Sequence, residues 1–210
     1  MHNPNCVRST RDQITDSLRE DVICGRLTAG ERVSEASLAE RFGVSRGPIR
    51  EALSQMVSEG LFVAKPNCGV VIAPPAPLEV RDLVLPIRRT LETYALRHIF
   101  PTLGPDDFRH WEDILFRMER ACQLGDARAF PALDVAMHRW LMERCGQPDL
   151  LAIWQTIVTR MRGHFWVRAE AAQHRGDLMR LHADHVKLID AFRGDVNTAV
   201  KALEAHIEEN

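Results

Sequence analysis

The sequence predicts a mostly α-helical chain in two parts: an N-terminal winged helix-turn-helix and a C-terminal antiparallel six-helix bundle. Three observations lead there. Apolar residues recur at helical spacing through most of the chain, and strand-like runs are confined to residues 61–73. Three prolines fall within Ala73-Pro74-Pro75-Ala76-Pro77, a stretch that cannot continue a helix or a central strand. All four tryptophans and eight of nine histidines lie after it, so the two parts differ in chemistry. The reading is a winged helix-turn-helix domain over 1–73, a linker over 74–78 and a helical domain over 79–210.

Each element is marked by local signals. Thr10-Arg11-Asp12-Gln13 has the form of a capping box, so a helix is expected from Thr10, with Ile14, Leu18 and Val22 on one face and Gly25 as its end. A second, short helix starts near Ser34, carries Leu38, Ala39 and Phe42, and stops at Gly43. Ser45 caps a third, with Pro48 in its first turn, where a missing N–H costs little. Ile49, Ala52, Leu53, Met56 and Val57 form its apolar stripe, and Gly60 closes it. Leu61–Lys65 and Val70–Ala73 read as strands around the turn Pro66-Asn67-Cys68-Gly69. Beyond the prolines, helices are expected over 79–99, 105–124, 126–145, 148–169, 176–193 and 195–210, parted by glycine and proline.

Composition sets the bounds. The chain has 210 residues, 27% charged and 45% hydrophobic, as in ordinary globular proteins, which argues against a disordered, fibrous or disulfide-knotted chain. Lys+Arg is 27 and Asp+Glu 29, a net of -2, so any nucleic-acid site must be a local patch. No apolar run approaches the ~18 residues of a membrane span, and the first residues lack the layout of an export signal. The five cysteines, Cys6, Cys24, Cys68, Cys122 and Cys145, are odd in number and widely spaced, and are read as reduced thiols of a cytoplasmic protein.

The two short helices joined by Phe42-Gly43-Val44-Ser45 form a helix-turn-helix. Arg46 and Arg50 lie one turn apart near the start of its second helix, on the flank of the apolar stripe. From there a guanidinium reaches guanine O6/N7 or a phosphate. The helix N-terminus adds backbone donors for a phosphate. The hairpin is a wing, with Lys65 and Gly69 near the backbone or minor groove. An isolated Arg-x-x-x-Arg would read as solvated surface charge; three helices, a hairpin and a proline linker in this order favour DNA.

Residues 25–35 (GRLTAGERVSE), Leu38-Ala39-Glu40, residues 43–53 (GVSRGPIREAL) and Glu59-Gly60-Leu61 resemble the winged helix-turn-helix of GntR-type transcriptional regulators. The helical half after the prolines resembles the all-helical FCD effector domain of the FadR subfamily, in its short VanR-like branch. The resemblance implies DNA contacts from Ser45, Arg46, Arg50 and Gly69; Lys65 is added from its place on the hairpin and Gly47 from its place in the first turn of the recognition helix. Two positions depart from the family pattern: Ala36 stands where an arginine is usual, and Gly47 where a threonine is usual, so one DNA-contacting guanidinium and one hydroxyl are absent.

Asp134 and His138 are four residues apart, hence on one helix face. By itself such a pair arises easily by chance. His185 and His206 stand roughly level if the last two helices form a hairpin around Gly194. The resemblance implies that Asp134, His138, His185 and His206 together bind a divalent metal ion: zinc first, with nickel or manganese as alternatives. His182, one turn before His185, is a second-choice ligand, and His98, His110, His164 and His174 are read as surface or core histidines. Arg88, in Arg88-Arg89-Thr90-Leu91-Glu92, matches a family arginine that points into the effector pocket. A guanidinium beside a metal suits a carboxylate. Arg162 is placed in the same cavity.

The resulting expectation is a homodimeric, effector-responsive transcription regulator, a repressor, that binds an inverted-repeat operator in double-stranded DNA and senses a small carboxylate effector. The alternative is a helical metalloenzyme acting on small carboxylates with an accessory winged-helix domain. No nucleophile–base pair, His-Glu-x-x-His or glycine-rich phosphate loop supports it. A third reading has the winged helix meeting a protein partner; the arginines at the start of its recognition helix argue against that.

Overall fold

The computed structural model describes residues 9–65 and 69–209. Cys6, Cys68 and the rest of the turn 66–68 lie outside the described residues. The chain divides after Pro75 into two compact units. No helix among the described residues is long and apolar enough to cross a membrane.

The first unit comprises α1 (Thr10–Ile23), β1 (Arg32–Val33), α2 (Glu35–Phe42), α3 (Arg46–Ser58), β2 (Phe62–Lys65) and β3 (Gly69–Ile72). Capping of α1 differs from expectation by one residue: Ser9 is the N-cap, and its hydroxyl accepts from the Asp12 N–H at 3.2 Å. Ser34 caps α2 by accepting from the Ser37 N–H, and Gly43 ends that helix at φ 64°, a left-handed turn that glycine enters without steric cost. Ser45 sits at the N-cap of α3 but makes no cap hydrogen bond. The three strands run in the order β1-β3-β2, all antiparallel, with Val63 opposite Val71 and Lys65 opposite Gly69. β1 was not expected; at two residues it is too short to show alternation. Ile14, Leu18, Leu38, Ile49, Leu53, Met56, Leu61, Phe62 and Ile72 form one apolar core. Removing any large member of it costs about 2–5 kcal/mol.

The second unit opens on a short 3-10 turn, Leu78–Val80. It continues with α4 (Arg81–Ile99), α5 (Pro105–Gln123), α6 (Phe130–Arg144), α7 (Pro148–Arg160), α8 (Arg162–Arg175), α9 (Leu178–Phe192) and α10 (Val196–Glu209). The predicted helical bundle is present, with one difference in count. The segment read as one helix over 148–169 is two, parted at Met161. There the Met161 carbonyl accepts from His164 N–H at 2.8 Å, a three-residue closure, and the Arg162 guanidinium donates to the Thr159 carbonyl at 3.1 Å. That tightening interrupts the regular ladder, with Gly163 inside the tightened turn. The helix expected from 126 starts at Phe130, because the Asp126 carboxylate accepts from the backbone N–H groups of Arg128 and Ala129 and holds a turn. α4 packs on α6, α7 and α10, α5 on α6 and α9, and α9 on α10. The core contains Leu96, Trp111, Met118, Leu141, Met142, Trp154 and Leu203.

Candidate DNA interface and candidate metal centre

In the winged unit the apolar stripe of α3 is turned into the core: Ile49, Ala52, Leu53 and Met56 are all buried. This leaves Ser45, Arg46, Gly47 and Arg50 exposed on the opposite flank. Lys65 and Gly69 are likewise exposed, paired at the end of the hairpin next to the turn. Gly69 has φ 78°. The Arg50 Nε donates to Glu35 at 2.8 Å, and both side chains stay open to solvent. Such exposed pairs contribute ~0–1 kcal/mol, so Arg50 is held only loosely. α2 is held more firmly: Asp21 on α1, 1% exposed, accepts from Arg26 at 2.6 Å and also from Arg41 of α2. Arg32, exposed on β1, brings its Nε beside the wing glycine, 3.9 Å from where a Cβ on Gly69 would stand. The sequence reading missed Arg32, because nothing local marks a two-residue strand at the wing.

In the helical unit Asp134, His138, His185 and His206 converge, with one ligand atom from each within 4.8 Å of the others. All four are buried. Asp134 and His138 share a face of α6, while His185 comes from α9 and His206 from α10. His182, the second-choice ligand, is not among the four. The His138 and His206 rings stack at 5.2 Å, and the His206 and His185 rings meet edge-on at 4.5 Å.

The donor set fits a cation. His185 Nδ1 lies 2.7 Å from the Leu181 carbonyl, an acceptor, so that nitrogen carries a proton and donates. Its Nε2 then faces Asp134 Oδ1 at 2.6 Å. Either a second proton or a shared cation must lie between them. His138 Nε2 and Asp134 Oδ2 are buried with no hydrogen-bond partner, a state that costs free energy unless something binds them. Burial alone would raise the Asp134 carboxyl, but the bond to His185 and the closeness of His185, His138 and Arg88 hold it well below the usual range. Burial, with His185 and His138 alongside, pushes His206 well below the usual imidazole value.

Arg88 is 1% exposed on α4. Its Nε donates to Glu92 at 2.7 Å, its guanidinium lies 5.5 Å from the Phe165 ring, and its Nη1 is buried without a partner. Burial, and Arg160 second, pushes Arg162 down to about 10. Glu92 had no role in the sequence reading, yet it is 0% exposed and accepts from Trp154 Nε1 at 2.6 Å and from His138 Nδ1 at 2.7 Å as well as from Arg88. The available signal was its spacing of four from Arg88 on one helix face. Burial would raise its carboxyl, but Arg88 and His138 outweigh that and hold it below the usual carboxylate range. Among the described residues Cys24, Cys122 and Cys145 are free thiols. Burial pushes Cys24 and Cys122 up to about 11, which makes them poor nucleophiles.

Comparison with known proteins agrees with both halves. Residues 10–72 match the family described as bacterial regulatory proteins, gntR family, and residues 83–209 match the FCD domain. An HTH-type transcriptional regulator from an unstable DNA locus of Streptomyces ambofaciens is 30% identical over 95% of this chain and 83% of its own. The gluconate operon transcriptional repressor of Bacillus licheniformis is 26% identical over 96% of this chain and 83% of its own. The solved structure of McbR (YncC) from E. coli shares the fold at a TM-score of 0.80 and 22% identity, covering 97% of this chain and 96% of that one. These relatives are transcriptional regulators, which sets aside the metalloenzyme reading. The chain belongs to the GntR family of DNA-binding transcriptional regulators and carries an FCD domain.

Proposed function

We propose that this regulator is a homodimeric repressor whose operator affinity is set by a small carboxylate bound beside a divalent cation in the FCD domain. One observation carries the reading: three buried polar atoms around one cluster, His138 Nε2, Asp134 Oδ2 and Arg88 Nη1, have no partner of their own. The first two suit a cation and the third an anion. Asp134, His138, His185 and His206 would hold the ion, and three imidazoles with one carboxylate favour zinc over nickel or manganese. When bound, the ion supplies a Lewis-acidic centre for a carboxylate oxygen. Arg88 donates to the other oxygen, and Arg162, pushed down by burial, gains from any anion brought near it. The B. licheniformis relative is named as a repressor of a gluconate operon, and gluconate is a small organic acid.

On the DNA side, Arg46 and Arg50 enter the major groove, Ser45 and Gly47 admit a close phosphate, and Lys65, Gly69 and Arg32 follow the backbone beside the wing. Support for two copies on an inverted repeat comes from α4, whose outer face exposes Leu83 (74%), Ile87 (47%) and Tyr94 (50%). An apolar stripe of that kind suits a second copy around a twofold axis. A regulator that reads the genome works in the cytoplasm of a bacterial cell. Gel shifts with DNA upstream of its own gene test this reading. We expect salt-sensitive binding that changes with a carboxylate when zinc is present. Binding indifferent to every carboxylate tried, with and without zinc, overturns it.

A further inference from the structure

We propose that Glu92 is the positioning residue of the cation site: it fixes the tautomer of His138 so that Nε2 faces the cluster as a bare lone pair. The inference rests on reading the Asp134/His138/His185/His206 cluster as a cation site. Each step depends on which atoms can donate. Glu92 Oε1 takes two donors, Arg88 Nε at 2.7 Å and Trp154 Nε1 at 2.6 Å. Neither of those groups can accept. Glu92 Oε2 stands 2.7 Å from His138 Nδ1. A carboxylate that is salt-bridged to a buried guanidinium is an acceptor, so the proton of this bond belongs to His138 Nδ1.

That assignment settles the other ring nitrogen. His138 Nε2 is buried, and no acceptor lies within bonding distance; Asp134 Oδ1 is 3.9 Å away. A proton on Nε2 would be buried and unmatched. The neutral ring with Nδ1–H and a naked Nε2 is the form that satisfies the surroundings, and it is the form a metal ligand needs. Glu92 also grips Arg88, leaving Nη1 of the fork directed elsewhere. One carboxylate on α4 therefore sets both the ligand nitrogen on α6 and the anion-seeking arginine.

The same logic predicts an unusual result for the nearly isosteric change Glu92→Gln. The amide has one oxygen and one NH2 group. Arg88 and Trp154 both demand an acceptor, so the oxygen must turn to them. The NH2 then faces His138 Nδ1 and can only donate. The ring must answer with a lone pair on Nδ1, and its proton moves to Nε2, where it blocks the ligand position.

The test uses full-length protein stripped of metal with a chelator and labelled with 15N-histidine. Long-range proton–nitrogen correlation spectra read the tautomer of His138, assigned by its loss in His138→Asn. The expected spectrum shows Nδ1–H in the wild type and Nε2–H in Glu92→Gln. Zinc titration should then show affinity lowered about 10- to 100-fold in Glu92→Gln. Wild-type His138 protonated at Nε2 overturns the proposal, as does a Glu92→Gln protein that binds zinc as tightly as the wild type. The wild-type spectrum decides the matter even if the variant does not fold. Absence of zinc uptake by the wild type overturns the cation-site reading instead, and leaves the tautomer result to stand on its own.

Discussion

The two units place their chemistry in opposite surroundings. Arg46 and Arg50 of the winged unit are exposed, and Arg50 is loosely held by a solvent-open pair with Glu35. The polar groups of the helical unit are sealed in: Arg88, Glu92, His138 and His185 are each at most 2% exposed, and Glu92 alone takes three bonds from three helices. On the proposed function the contrast reflects the ligands. A duplex is a large polyanion met from outside, so its contacts must be free to reach it, and screening by salt keeps them modest. A small anion or cation must be stripped of water to be held, so its contacts are buried and fixed in advance. A change in one unit should therefore act locally and weakly if it touches the DNA face, and cooperatively if it touches the sealed cluster.

The sharpest way to break that contrast is His138→Ala. Metal content measured on purified protein should fall from about one ion per chain to near none, because the remaining donors lose a ligand they cannot replace. Binding to upstream DNA in the absence of a carboxylate should persist. Next in size is Arg50→Ala, for which operator affinity should fall by about 1–3 kcal/mol, roughly 5- to 150-fold, if the guanidinium reads a base. Its zinc content and its melting temperature should match the wild type. A shift in metal content in this variant would mean that the two surroundings are not independent.

Much of the winged unit was legible because its signals are local. A glycine at the left-handed turn, serines before the helices and an apolar stripe with arginines on its flank all sit within residues 34–57. The four convergent side chains were placed on three helices by spacing and by resemblance, but Glu92, which bonds to His138, was not found. Glu92 meets His138 from 46 positions away and Trp154 from 62, and no periodicity encodes a bond of that range. The break at Met161 was hidden for a related reason: it is made by tightened backbone bonds and by Arg162 capping Thr159, not by a helix-breaking residue at 161. The strand Arg32–Val33 is real only through its pairing with β3, as Arg32 opposite Val71 and Val33 opposite Val70.

Two smaller effects sharpen the comparison. Glu35→Gln removes the carboxylate paired with Arg50; on the proposed DNA interface, operator binding should tighten by about two- to fivefold at low salt, and less at high salt. In the sealed cluster the sign is set by Glu92 and Asp134, whose carboxyls are held below their usual range by the cations and hydrogen bonds around them. A carboxyl depressed in the folded state contributes stability that is whole above its unfolded value of about 4 and is lost as pH falls towards the folded one. Thermal melts of metal-free protein should thus fall steeply below about pH 4. Melts of Glu92→Gln should show a shallower fall over the same window.

The most direct measurement is the response of operator affinity to a carboxylate, compared between zinc-loaded wild type and His138→Ala by gel shift at fixed salt. A panel of small organic acids should contain one that changes wild-type affinity at least about fivefold, the low end of allosteric coupling, and leaves His138→Ala unmoved. A variant that responds as the wild type does would show that the buried histidine cluster is not where this regulator senses its effector.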